Sequence, residues 1–181
     1  MDEPIERASR GDREAMAEIV AEHYPAVYRF CARRIGPELG QDAAQETFLI
    51  AQKSLKRFDG RSKLSTWLFG IAHNVSRNLA RKRRIEMTYE QAWHEDPHPP
   101  TPSPEGRGGV SESTLIDREA LRKAMGKLTP EHREAVVLHE LEELTYEEAA
   151  SVLGVPVGTV KSRLFHAFAH LRRLLTAEAT V

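Results

Sequence analysis

Apolar residues recur at steps of three and four through most of the chain. In the first stretch Ile19, Val20, Tyr24, Val27, Phe30, Cys31 and Ile35 follow this rule, which gathers them on one helical face. Pro25 stands inside that run. It has no N–H and its ring crowds the preceding turn, so a kink or a split is expected there. Gly36, Pro37 and Gly40 read as a break, as clustered Gly and Pro usually do. Asp42 is then expected to open a second helix, with Ala44, Phe48, Ala51 and Leu55 on one face. "FDGRS" reads as a loop with Ser62 as the expected N-cap. A third helix carries Leu64, Trp67, Leu68, Ile71, Val75 and Leu79 as one stripe. No segment sustains the alternation of a strand, so the fold class is all-α.

The pattern stops from about Ile85 to Thr114. "DPHPPTPSPEGRGG" holds five prolines and three glycines and reads as a mobile linker. Two small helical domains flank it: residues 1–84, and residues 115–181 after the linker 85–114. A linker of this size spans ~30 Å as a random coil and ~100 Å fully extended, so the domains could act at two separated sites on one large target. The second domain is better punctuated. Thr129 is placed to cap a helix that has Pro130 at its first position. "TYEE" predicts a capping box between Thr145 and Glu148. Gly154 in "LGVP" is a candidate left-handed C-cap, and another helix should run from about Val157 to about Leu175. A short helix, a tight turn and a longer basic helix make a helix-turn-helix.

Charge changes this picture. The formal net charge is -1, but the charge is sorted along the chain. Residues 61–84 carry seven Lys and Arg and no acid, residues 85–148 carry six bases and fifteen acids, and residues 149–177 carry four bases and no acid. Two basic segments suggest two contacts with a polyanion, and the acidic remainder suits solubility and a basic protein partner. The single cysteine, Cys31, excludes an internal disulfide. It is expected to be a buried small hydrophobe, and an intracellular, cytoplasmic location is expected for the chain. The polar N-terminus does not resemble a signal peptide, and no apolar run is long enough to span a bilayer.

Three segments could carry chemistry. On the last helix Lys161, Ser162, Phe165 and His166 lie near one another, with Arg163 beside them, while Val160, Leu164 and Ala167 are expected to face the core. Such side chains can donate to phosphates and base edges in the major groove; the competing reading is a solvated basic face on a packing helix. Asn74, Arg77, Asn78 and Arg81 share the face opposite the apolar stripe of their helix. With the aromatics Trp67 and Phe69 nearby, this segment suits separated strands rather than simple duplex; alternatively both aromatics belong to the core. In "DAAQETF", Asp42, Gln45 and Glu46 form one exposed surface and Phe48 points partly toward the core. That surface is either a solvated acidic face or a docking site for a protein.

"DAAQETF", "FDGRSKLSTWLFGIAHN", the basic run, a linker and "LTPEHREAVVLHELEELTYEEAASVLGVPVGTVKSRLFHAFAHLRR", in this order, closely resemble bacterial sigma factors of the sigma-70 family, in the extracytoplasmic-function (ECF) group. The resemblance covers Gly11–Arg84 and Leu115–Leu175 and implies a role for each domain. The first would dock on core RNA polymerase and read and melt the -10 element; the second would read the -35 element. Asp42, Gln45, Glu46 and Phe48 would contact the clamp helices of the largest polymerase subunit. Phe58, Arg61, Ser62 and Lys63 belong to the loop that captures a flipped -10 base, with Asn74, Arg77, Asn78 and Arg81 on the supporting helix. Thr159, Lys161, Ser162, Arg163, Phe165 and His166 correspond to the set that reads the -35 element. His166 departs from a position often held by Arg. The resemblance further implies control by an anti-sigma factor.

Under this reading the chain is not an enzyme; it needs no cofactor, metal or small-molecule substrate, and it does not insert in a membrane. "HEDPH", with His94 and His98, and the pair His166 and His170 are the only metal-like patterns, and both are expected to be surface histidines. The alternative function is a helix-turn-helix repressor acting without polymerase, which would explain Val157–Leu175 but neither "DAAQETF" nor the aromatic-basic segment. A protein-interaction decoy is a third reading.

Overall fold

A computed structural model describes residues 3–93 and 112–178. The linker histidines His94 and His98 lie outside these residues. Among the described residues the fold is eight α-helices with short 3₁₀ and π turns and no strand. The N-terminal domain contains α1 (Glu3–Ser9), α2 (Arg13–Ile35), α3 (Pro37–Ser54), a 3₁₀ turn (Leu55–Arg57) and α4 (Leu64–Trp93). The C-terminal domain contains α5 (Glu112–Gly126), α6 (Pro130–Val136), a π turn (Val137–Leu141), α7 (Tyr146–Leu153) and α8 (Val157–Glu178).

The N-terminal core is built where α2, α3 and α4 meet. Val27, Phe30, Cys31, Ala44, Phe48, Leu68, Phe69 and Val75 are all buried there. Phe30 meets the edge of Phe69 with ring centroids 5.5 Å apart, and Tyr24 stacks on Phe48 at 5.8 Å. Cys31 is fully buried, and burial pushes its thiol pKa up, which keeps it protonated and unreactive.

Several boundaries differ from the sequence expectation. Pro25 lies inside an unbroken α2. Proline removes one N–H from the helical ladder, while α2 keeps its buried face against α3 and α4. The chain turns between α2 and α3 on Gly36 alone, whose φ of 88° favours glycine, and Pro37 starts α3 five residues before Asp42. Gly40 is therefore not part of a break. It lies within α3 at the crossing with α2, where an added Cβ would come within 2.5 Å of the Ala32 backbone. At the start of α4, Leu64 is the first helical residue and the Lys63 carbonyl accepts the Trp67 N–H. Ser62 thus sits one position before the cap. At its other end α4 continues through Trp93, past the expected boundary at Arg84.

The C-terminal signals behave as read. Thr129 Oγ1 accepts the His132 N–H. Thr145 and Glu148 form the reciprocal capping box, at 3.1 and 2.9 Å. Gly154 ends α7 in the left-handed conformation, φ 65° and ψ 36°. Val160, Leu164 and Ala167 of α8 are buried as expected, together with Leu138 and Ala149.

The two domains also touch. Helix α7 packs against α4. A second seam is lined by Phe30, Arg33 and Arg34 of α2 and by Pro130, Arg133, Glu134 and Val137.

Candidate nucleic-acid interface

On α3, Asp42, Gln45 and Glu46 are exposed on one face. Phe48 is not: it is 6% exposed and stacked on Tyr24, so its part in any docking surface is to hold α3 in place. Leu49, one turn beyond Gln45 and Glu46, is 57% exposed, and Ile50 is exposed beside it. The sequence reading missed both. The signal was present, since an apolar residue three and four positions after a polar pair interrupts an otherwise solvated face.

The loop before α4 is built on a buried aromatic. Phe58 is 6% exposed and lies against Trp67, with ring centroids 5.3 Å apart. Phe58 is a buried support, whereas Trp67 is only half-buried. Phe69 is likewise a core residue. Above them Gly60 takes a positive φ of 71°. The Asp59 carboxylate accepts the Arg61 backbone N–H at 3.1 Å and pairs with the Arg61 side chain at 3.2 Å. Arg61, Ser62 and Lys63 are exposed. Ser62, Thr66, Trp67, Gly70, Ile71 and Asn74 line a cleft whose other wall is Ser151 and Val152 of α7. Asn74 Nδ2 donates to the Gly70 carbonyl at 3.0 Å. That bond holds the amide in place at the cleft and leaves its oxygen as an acceptor. Arg77, Asn78 and Arg81 continue as an exposed polar face farther along α4. The cleft thus combines an oriented amide and a hydroxyl, flanked by basic residues. Such a site suits an unpaired base and its phosphates.

His73 was not singled out from the sequence. It is buried on α4, and Arg34 Nη1 donates to its Nδ1 at 2.8 Å. Burial first, and then the charges of Arg34, Arg77 and Arg163, lower its pKa from 6.5 to about 4. The ring is neutral at physiological pH, with Nδ1 as the acceptor.

On α8, Lys161, Ser162, Phe165 and His166 are exposed on one face, with Phe165 at 71%. Arg163 and Thr159 are half-buried at its edges. Tyr146, at the start of α7, was also missed. Its ring stacks on His139 at 4.4 Å and carries the Lys161 ammonium 5.2 Å above its centroid. His139 is in turn tied to the Leu144 carbonyl at 2.7 Å. Lys161 therefore leaves the helix over a braced aromatic platform. Among the described residues, no group of three or more His, Cys, Asp or Glu could hold a metal, and no helix is long and apolar enough to cross a membrane.

Comparison with known proteins assigns these surfaces to a family. Residues 19–85 match the family model "Sigma-70 region 2", and residues 118–171 match "Sigma-70, region 4". The chain is 30% identical over 177 residues to the ECF RNA polymerase sigma factor SigW of Bacillus subtilis, covering 94% of each. It is 33% identical to the RNA polymerase sigma factor CarQ of Myxococcus xanthus, over 94% of this chain and 95% of that one. It is also 34% identical to the RNA polymerase sigma-H factor of Pseudomonas aeruginosa, over 90% and 87%. Among solved structures, CnrH in complex with the cytosolic domain of CnrY superimposes with a TM-score of 0.69 at 27% identity, over 96% of both chains. The sigma factor RpoE of Bartonella quintana, in complex with the anti-sigma factor NepR, gives 0.70 at 26%, over 88% of this chain and 96% of that one. Both halves of the molecule and nearly its whole length agree: the chain belongs to the sigma-70 family, in the ECF group of RNA polymerase sigma factors.

Proposed function

We propose that the chain carries core RNA polymerase to promoters through three surfaces. Asp42, Gln45 and Glu46, with the exposed Leu49 one turn beyond, form the docking face on α3. Lys161, Ser162, Arg163, Phe165 and His166, with Thr159 at the start, enter the -35 major groove on α8. Arg61, Ser62, Lys63 and Asn74 capture a -10 base, and Arg77, Asn78 and Arg81 hold the backbone while the strands part.

The observation that carries this reading is the cleft at the start of α4. Flipping a base from the duplex costs a few kcal/mol. The α4 side of the cleft, with its held amide and the Ser62 hydroxyl, offsets that cost only for a base whose edge matches it, which couples melting to sequence. Trp67 lines the recess, and Phe58 is buried against it as a support. The bond-making chemistry belongs to the polymerase. An anti-sigma factor fits this account as a regulator, because it would need only to cover the α3 face or the cleft. The similarity to RpoE in its complex with NepR supports that expectation.

Selection from a randomised promoter pool tests the residue roles. Asn74→Ala is expected to relax preference within the -10 element alone. Lys161→Ala is expected to relax it within the -35 element alone, each by ~1–3 kcal/mol of discrimination. Unchanged base preferences in both variants would refute these assignments.

A further inference from the structure

His166 is exposed on α8, and among the described residues no hydrogen bond or ion pair holds its ring. Two aromatic neighbours hold it instead. Phe165, the preceding residue, meets it edge-on, with ring centroids 5.5 Å apart and planes at 77°. His132 of α6 lies across from it, with centroids 6.2 Å apart and planes only 27° from parallel. Both separations fall in the range where aromatic rings attract. His132 is half-buried and distant from α8 in sequence.

The backbone that carries His132 is braced on both sides. Its own N–H is taken by the Thr129 cap. Arg133, the next residue, donates from Nε to the Met125 carbonyl at 2.9 Å, and from Nη2 to the Gly126 and Leu128 carbonyls at 2.8 and 3.0 Å. The end of a helix leaves such carbonyls without partners in its own ladder. One planar guanidinium thus locks the turn between α5 and α6. Just beyond it Ala135 and Val136 are buried, and α6 packs along α8. His132 is therefore held at a fixed place beside the exposed face of α8.

We propose that His132 is a positioning residue for -35 reading: it stacks on His166 and holds that imidazole at one angle to the DNA. This rests on the reading of α8 as the -35 element's partner. An arginine at position 166 would reach out with a long fork of donors and adjust to a base or a phosphate. An imidazole is short, and each of its ring nitrogens donates or accepts in one fixed direction. Such a group tells one base edge from another only when the ring is aimed. A ring free to turn would present either nitrogen, or neither. The stack removes those orientations before DNA arrives, so less ordering cost falls on binding. His132 acts through His166 and needs no DNA contact of its own.

Promoter selection with the full chain and core polymerase tests this. His166→Ala marks the -35 position that His166 reads. His132→Ala is expected to relax preference at that same position by roughly fivefold, the scale of one aromatic pair, and to leave the other -35 positions as they are. In the His166→Ala background it should add nothing. His132→Phe keeps a ring in the stack and should restore the preference. In the free chain the nuclear magnetic resonance signals of the His166 ring, identified by their loss in His166→Ala, should shift in His132→Ala. Circular dichroism checks that each variant is folded. Unmoved ring signals would overturn the proposal, as would an unchanged preference in His132→Ala or a His132→Phe variant as relaxed as the alanine. A loss spread evenly over all positions would also overturn it, since a general structural role or a phosphate contact produces that pattern. A wild type that selects no -35 element would remove the reading of α8, and this proposal with it, whereas a defined -35 element indifferent to His132 removes this proposal alone.

Discussion

His73 shows how much one buried side chain can depend on its surroundings. Its folded pKa of about 4 lies below the ordinary 6.5, so the unfolded chain takes up this proton first. By linkage, folding stability falls as pH drops from about 6.5 toward 4. Glu131 and Glu148, whose pKa values are lowered, add to acid sensitivity, while Glu134 and Glu142, whose values are raised, oppose it. His73→Gln isolates the imidazole, because Gln can still accept the Arg34 N–H but cannot titrate. Thermal melts at pH 7 and pH 5 should show a smaller loss in the variant than in the wild type; parallel losses would refute the assignment. Tyr146 is a second case. Tyr146→Leu removes the platform under Lys161 and should weaken -35 discrimination by ~0.5–1 kcal/mol, whereas Tyr146→Phe keeps the ring and should leave it intact. Equal effects of Leu and Phe in promoter selection would contradict the platform role. Neither residue stood out in the sequence. A buried histidine on a basic helix looks like another solvated cation, and a capping-box tyrosine reveals nothing of the lysine fifteen positions later.

At the level of elements, the capping signals were legible and the glycines less so. Thr129, Thr145, Glu148 and Gly154 act within one turn of sequence, so local chemistry decides them. Gly40 acts at a distance: it is a break only in local terms, and its purpose is visible once α2 lies across it. Gly40→Ala drives a methyl to within 2.5 Å of the Ala32 backbone. It should destabilise the N-terminal domain by ~1–3 kcal/mol. Denaturant unfolding measures this, and a change under ~0.5 kcal/mol, the range of neutral substitutions, would mean that the two helices are not so close. Pro25 does not split α2, for the opposite reason. Its local cost is real, but the tertiary contacts along α2 outweigh it. Phe58, expected in the loop that captures a base, is buried, and Phe48, expected to point partly toward the core, lies wholly within it. Periodicity assigns a face, not a depth.

On the scale of the whole molecule, the all-α class followed from periodicity alone, and the two basic segments from which two contacts with a polyanion were expected fall in the stretches that match sigma-70 region 2 and region 4. The acidic middle of the chain was read as an aid to solubility and a surface for a basic protein partner. Part of that partner is the chain itself, since Glu134, Glu142 and Glu148 face Arg29, Arg33, Arg34 and Lys63. Such long-range complementarity is invisible to any window that slides along a sequence. The exposed α3 face, by contrast, finds no cover among the described residues: Leu49 and Ile50 stand in solvent next to Asp42, Gln45 and Glu46. An apolar spot within an acidic rim is what a protein contact requires. Transcription in vitro with bacterial core polymerase on a randomised promoter pool tests the whole account most directly, with the Gln45→Ala, Glu46→Ala double variant beside the wild type. The account predicts transcripts from a defined two-part promoter with the wild type and few or none with the variant. Tight duplex binding by the chain alone, with no transcript from either protein, would contradict it.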